Sequence, residues 1–96
     1  MTASLPPTAA PYKRTPSFSE ATVPQGLLND HSTKVGAWGL IVVEQGELRY
    51  LITDPRRPAS ETIVPPEAPA VVEPTILHRV EPIGPVLFHV VFHREA

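Results

Sequence analysis

Histidines are the side chains of this sequence best suited to metal or acid–base chemistry. There are four of them, His31, His78, His89 and His93. Neutral imidazole binds zinc, iron, nickel or copper, and three such ligands leave an open coordination position for water or a substrate. The sequence contains no cysteine, so a thiolate metal site and a disulfide framework are both excluded. The competing interpretation is that each histidine is a structural residue of a strand.

The last two histidines lie in the run VLFHVVFHR, where side chains are expected to alternate between two faces. His89 and His93 then share one face but lie roughly 13 Å apart at about 3.3 Å per residue, so one ion does not easily take both. Phe88, Val90 and Phe92 share the other face. Which face is interior stays open at this point. If the phenylalanines pack between sheets, the histidine face lines the cavity.

Short strands must position these side chains. The thirteen prolines leave no long helical stretch after about Lys34, because proline is excluded from helix interiors. Two apolar runs flank Glu44–Glu47, where Gly46 can take the positive φ of a tight hairpin. Further strands are predicted at ETIV, AVVE, ILHRVE and VLFHVVFHR. Such spacing predicts an all-β antiparallel barrel or sandwich.

The chain length of 96 residues predicts one domain. We expect residues 1–11 to be a disordered tail and residues 12–96 to form the barrel. A net charge of −2 and a pI near 6.0 argue against nucleic-acid binding. The sequence shows neither a signal peptide nor an apolar stretch long enough to span a membrane. A soluble protein in the cytoplasm is therefore expected.

Several short motifs occur in a family-specific order. They are RTPSF, His31-x-x-Lys34-x-Gly36-x-Trp38, Gly46-x-Leu48-x-Tyr50, Pro74-x-x-x-His78-x-x-Glu81 and the closing FHR. In this order and spacing the sequence resembles the small cupin-type domain of tellurite-resistance protein B-like proteins. The resemblance covers roughly Arg14 to Arg94.

The resemblance implies a cupin fold, which is a double-stranded β-helix or jelly-roll barrel that holds one divalent transition metal such as zinc, iron or nickel. The expected ligands are His31, His78 and His93, with His89 and Glu81 as alternative ligands or as residues that hold the ligands in place. Pro74 and His78 match the second cupin motif, whereas only His31 and Lys34 remain of the first. The expected substrate-binding residues are Lys34, for an anionic group, together with Trp38 and Tyr50.

Two functions follow as hypotheses. The first is a small metalloprotein that binds or transforms a small, anionic molecule, in a stress response or a response to tellurite-type oxyanions. The alternative is a non-catalytic ligand sensor or protein-interaction module with a vestigial metal site. Whether the protein is an enzyme stays open, and a homodimer is a further expectation. The chain has no glycine-rich loop for S-adenosylmethionine, so we do not expect it to methylate a substrate alone.

Overall fold

In the structure, a computed structural model that describes residues 4–95, almost all of the regular secondary structure is antiparallel strand. In chain order its elements are β1 (Ala9–Arg14), β2 (Phe18–Ser19), α1 (Gln25–Leu28), β3 (Trp38–Ile52), β4 (Ser60–Val64), β5 (Ala70–Val72) and β6 (His78–Glu95). The strands form one sheet in the order β1-β6-β3-β4, with β2 paired to β6 and β5 paired to β3. The predicted all-β class is confirmed.

The long strand β3 is continuous across the position where the sequence predicts a hairpin. Both apolar runs of β3 pair with β6, and the register shifts between Val43 and Glu47. Gly46 has a φ of +79°, and a Cβ at this position would lie 2.3 Å from the backbone oxygen of Pro85. The predicted tight hairpin is therefore wrong. Gly46 instead allows β3 to bend against β6, where a side chain would collide with the neighbouring strand.

One apolar core fills the space between the two halves of the bent sheet. Along β3 the buried residues are Ile41 and Val43 before the bend and Leu48 and Tyr50 after it. These four residues belong to a single cluster with Phe88 of β6, which is fully buried. Because burial has a period of two on each side of the bend, both halves of β3 turn one face towards the same core.

The strand β1 begins inside the predicted tail. Ala9, Ala10 and Pro11 pair with the end of β6, so these three residues lie in the sheet although the sequence analysis placed them before the domain. Residues 1–3, which also belong to the predicted tail, lie outside the described residues. Within residues 4–95, no helix has the length and apolar character that crossing a membrane requires.

Candidate ligand-binding site

A cavity of about 390 Å³ opens beside β3, β6 and the loop that precedes β3. Its wall is mainly apolar and includes Ile41, Val72, Phe88, Val90 and Phe92. These side chains reach the cavity because Phe88, Val90 and Phe92 alternate along β6 and share its inner face. The volume and the apolar wall are typical of a small-molecule site.

Two histidines supply polar groups to the cavity. His31 and His78 both line it, and their ring centroids lie 4.2 Å apart. The backbones of the two residues form an isolated antiparallel bridge, with N–H···O=C distances of 2.9 Å in both directions. This bridge joins residues 47 positions apart in the chain, so it fixes the loop of His31 to the start of β6.

Backbone carbonyl groups determine the tautomer of both rings. Nδ1 of His78 lies 2.8 Å from the oxygen of Ile76, and Nδ1 of His31 lies 2.8 Å from the oxygen of Asn29. A carbonyl oxygen only accepts hydrogen bonds, so Nδ1–H donates in both contacts, and in the neutral ring Nε2 carries the lone pair. Burial lowers the pKa of His78 to about 4, against the opposing effect of its hydrogen bond to Ile76. His78 is therefore neutral at neutral pH.

A buried carboxylate holds the segment that leads into His78. Asp54 is 3% exposed, accepts a hydrogen bond from the Leu77 amide at 2.9 Å, and contacts the Arg56 guanidinium at 2.8 and 2.9 Å. Arg56 also donates to the backbone oxygen of Thr75 at 2.6 Å. The Arg56 side chain, followed by the backbone amides, holds the pKa of Asp54 well below its usual range. Asp54 thus fixes the backbone on which His78 is placed.

The sequence pattern did not reveal this carboxylate, which lies in the proline- and arginine-rich run DPRRPASE before the predicted strand ETIV. A signal was present, because an aspartate before proline, with arginine two residues after it, is the pattern of a local side-chain-to-backbone turn. The contact with Leu77 has no counterpart in the local sequence.

The two remaining histidines lie on the opposite face of β6. His89 pairs with Val42 and His93 pairs with Trp38 across the ladder, whereas Phe92, which lines the cavity, pairs with Gly39. Residues directly opposite in a ladder share a face, so His89 and His93 point away from the cavity. The predicted ligand set is therefore not assembled: His31 and His78 meet, and His93 does not join them.

The outer histidines have partners of their own. Nδ1 of His89 lies 2.7 Å from Oε2 of Glu44, which also accepts a hydrogen bond from Ser17 at 2.5 Å. These contacts lower the pKa of Glu44, with the Ser17 hydrogen bond as the largest cause. Nδ1 of His93 lies 3.2 Å from the backbone oxygen of Val91. Glu44, which the sequence places in the predicted tight hairpin, is therefore a partner of His89.

The other predicted site residues are scattered. Lys34 lines the cavity, whereas Trp38 and Tyr50 are not among the described residues that line it. Tyr50 belongs to the core, where its ring packs edge-on against His78 at 5.6 Å, and burial raises its pKa to about 12. Glu81 forms ion pairs with Arg49 and Arg79, at 3.3 and 3.4 Å, and takes no part in the cavity.

Comparison with known proteins identifies close relatives by sequence. The family model described as the TehB-like domain matches residues 13–90. The probable S-adenosyl-L-methionine-dependent methyltransferase TehB of Haemophilus influenzae (strain ATCC 51907 / DSM 11121 / KW20 / Rd) is 38% identical over 75 residues, which are 76% of this chain and 26% of that protein. Its counterpart from Haemophilus influenzae strain 10810 is 36% identical over the same length. The chain thus spans about a quarter of the length of these relatives.

Two solved structures have the same fold. The crystal structure of TehB from Haemophilus influenzae superposes with a TM-score of 0.84 at 29% identity, over 93% of this chain and 32% of that one. A protein from Escherichia coli (strain K12) superposes with a TM-score of 0.87 at 20% identity, over 99% of both chains. At that identity the second match shows the fold alone.

These findings correct the predicted function and the predicted cofactor. The metal-site cupin, with the vestigial-site module as its alternative, is wrong because the relatives are named as S-adenosylmethionine-dependent methyltransferases. The divalent metal is wrong for the same reason, and residues 4–95 contain no group of three or more His, Asp or Glu that could hold an ion. The resemblance to tellurite-resistance protein B is confirmed in its coarser form. The chain belongs to the TehB-like domain family.

Proposed function

We propose that this chain binds the methyl acceptor in a methyl-transfer system of the TehB type. The observation that carries the proposal is the cavity of about 390 Å³, with its apolar wall and the His31–His78 pair. The relatives are named for methyl transfer, and this chain covers only 26% of their length. The proposal therefore assigns the acceptor to this domain and the methyl donor to a methyltransferase that acts with it.

S-adenosylmethionine does not fit the residues of the cavity. Its sulfonium is positively charged and its ribose presents hydroxyl groups, which proteins bind with a carboxylate and a glycine-rich loop in nucleotide sites. Among the described residues that line the cavity there is no aspartate or glutamate, and the cations Lys13 and Lys34 are present instead. The charges of the cavity therefore disfavour the methyl donor.

The wall favours an organic acceptor with a mainly apolar surface. A free oxyanion loses its hydration on entering an apolar cavity, and this loss is costly unless the charge is paired there. Both lysines that line the cavity are exposed, so they are placed to attract an anionic group near the rim. Tellurite, the oxyanion that the family resemblance suggests, is therefore the comparison ligand in the test.

Binding to the isotope-labelled chain tests the proposal. Amide spectra are recorded with 4-methylphenol, indole, tellurite and S-adenosylmethionine. We expect saturable shifts at cavity residues with the two aromatic ligands and none with S-adenosylmethionine. Saturable binding of S-adenosylmethionine in the cavity, or the absence of binding by every acceptor, would overturn the proposal.

Two neighbouring residues give a matched pair of variants for this test. Val90 lines the cavity, whereas Val91 lies on the opposite face of β6. Val90→Phe fills the cavity and is expected to weaken ligand binding at least about tenfold, since the added ring takes the space of the ligand. Val91→Phe adds the same ring outside the cavity and is expected to leave binding unchanged.

Four expectations from the sequence stay proposals. They are the cupin-type description of the barrel, the division into a tail and one domain, the cytoplasmic location and the homodimer. The half-buried outer face around Trp38 and Val91 supports the homodimer, because apolar surface of this kind favours association. Light scattering coupled to size-exclusion chromatography measures the mass directly.

A further inference from the structure

We infer that His31 and His78 form a pair of hydrogen-bond acceptors that selects a ligand with an acidic X–H donor, such as a phenol, a thiol or an N–H heterocycle, over the same ligand methylated at that atom. This inference rests on the proposed function, since it names the class of acceptor that the cavity binds. In a methyl-transfer system it also means that the domain binds the acceptor more tightly than its methylated product.

The hydrogen bonds of the two rings leave one acceptor on each. Nδ1–H of each ring donates to a backbone carbonyl two residues earlier in the chain, and no hydrogen bond to either Nε2 occurs within residues 4–95. Among the described residues, the buried side-chain nitrogen and oxygen atoms without a hydrogen-bond partner are Arg49 Nε, which forms an ion pair with Glu61 at 2.6 Å, and Thr53 Oγ1. Nε2 of His78 is thus neither bonded nor sealed inside the protein.

The position of His78 directs this acceptor to a ligand. The residue is 3% exposed and lines the cavity, where its ring packs against His31 at 4.2 Å and against Tyr50 at 5.6 Å. A lone pair in an apolar cavity has few competing partners, so a ligand donor that reaches it forms a hydrogen bond in a low-dielectric environment. A ligand without a donor leaves the lone pair unpaired.

The protonation state supports the same selection. Burial lowers the pKa of His78 to about 4, so the ring is neutral and its Nε2 accepts a hydrogen bond near pH 7. The titratable groups around it are His31, which lowers this pKa, Asp30, which raises it, and Tyr50, whose ring packs against it with a pKa raised to about 12 and is therefore neutral. A phenolate or thiolate has no proton to donate to the Nε2 atoms of the two rings. The protonated ligand is therefore preferred.

The size of the selection follows from one neutral hydrogen bond. Loss of such a bond in a buried site corresponds to about a tenfold loss of affinity. The matched ligands are 4-methylphenol and 4-methylanisole, which differ by one methyl group on the oxygen. We expect 4-methylanisole to bind about tenfold more weakly, although it has the larger apolar surface.

Nitrogen spectra of the histidine side chains report the contact itself. On binding of 4-methylphenol, the Nε2 resonances of His31 and His78 are expected to move towards the value of a hydrogen-bonded acceptor. His89 and His93 lie on the opposite face and are internal controls whose resonances should not move. His31→Phe is expected to reduce the affinity for 4-methylphenol about tenfold and to leave that for 4-methylanisole unchanged, with His93→Phe as its control.

The possible outcomes separate the two proposals. Tighter binding of 4-methylphenol, with the Nε2 shifts, supports the selection. Equal binding of both ligands, or unmoved Nε2 resonances, overturns the selection and leaves the apolar acceptor site in place. Absence of binding by both ligands overturns the acceptor site and the selection with it.

Discussion

Two histidines lie on each side of the sheet formed by β3 and β6, in different chemical surroundings. On the inner face His31 and His78 contact each other, and both rings donate to backbone carbonyl groups. On the outer face His89 contacts the carboxylate of Glu44, and His93 donates to a carbonyl within its own strand. Burial keeps His78 neutral although its hydrogen bond to the Ile76 carbonyl favours the charged form, whereas His89 lies against a carboxylate near the surface.

This difference arises from the alternation of side chains along β6. His89 and His93 are four residues apart, so they share the outer face with the side chain between them. His78 lies ten residues before Phe88, an even separation, and both are buried, so both face the core. The parity of the buried residues changes in β3, between Val43 and Leu48, and not in β6. One strand can thus present histidines to the core at one end and to the outer face at the other.

The largest effect on stability is expected from Asp54, which holds the backbone before His78 on the inner side of the sheet. Asp54→Asn removes the charge that binds Arg56 and the Leu77 amide, and so loosens the backbone before His78. Breaking a buried ion pair in a domain of this size is expected to lower Tm on the order of ten degrees. Thermal unfolding followed by circular dichroism gives the measurement, and amide exchange at Leu77 should accelerate.

Asp30→Asn is the matched control for this variant. Asp30 is exposed and forms an ion pair with Arg79 at 3.4 Å, so its loss should change Tm by no more than about a few degrees. An Asp54→Asn protein that keeps its Tm within that range would show that other contacts hold the segment.

The second effect is a dependence of stability on pH that arises from His78. Its pKa is about 4 in the folded protein against an ordinary value of 6.5, so the unfolded chain takes up a proton that the folded chain excludes. This group leaves stability unchanged above pH 6.5, lowers it as the pH falls from 6.5 to 4, and costs about 3 kcal/mol in total. Urea unfolding at pH 7 and pH 4.5 should reveal most of this loss.

Variants at one histidine of each face show which histidine causes this dependence of the unfolding free energy on pH. His78→Phe removes the titrating group, so its free energy of unfolding should change less between pH 7 and pH 4.5 than that of the wild type. His93→Phe changes a histidine of the outer face and should retain the slope. His78→Phe also leaves the Ile76 carbonyl without its partner, which lowers stability at both pH values. The comparison therefore uses the change in unfolding free energy between the two pH values and not its absolute size. Equal slopes in all three proteins would exclude His78 as the source.

The fold could be predicted from the sequence because its signals are local. The alternation in VLFHVVFHR places Phe88, Val90 and Phe92 together and the histidines opposite, as the ladder confirms. Gly46 signals a positive φ, but the sequence does not distinguish a hairpin from a bend. That choice depends on β6, which bends at Gly84 and Pro85 to match.

The site could be predicted only in part because it depends on distant contacts. Both faces of the last strand carry apolar residues, so the sequence leaves the inner face undecided until the elements that cover it are known. His31 reaches His78 through a backbone bridge over 47 positions, and Asp54 reaches Leu77 over 23. The resemblance to the family brought His31 and His78 together but added His93, which alternation places outside the cavity.

The smallest expected effect concerns the contact between Glu44 and His89 on the outer face. Glu44 accepts from Ser17 and contacts His89, and these contacts hold its pKa below the ordinary value of 4.5. A carboxylate with a lowered pKa contributes stability above its unfolded pKa and loses it as the pH falls through the folded value. Glu44→Gln should therefore lower Tm slightly at pH 7 and have less effect as the pH falls through the lowered pKa of Glu44, where the wild-type carboxylate takes up its proton. Because Glu44 lies near the surface, its contribution is expected to shrink in high salt, unlike that of His78. If the contributions of Glu44 and His78 to stability depended equally on salt, the contrast between a screened contact on the outer face and a buried histidine on the inner face would be wrong.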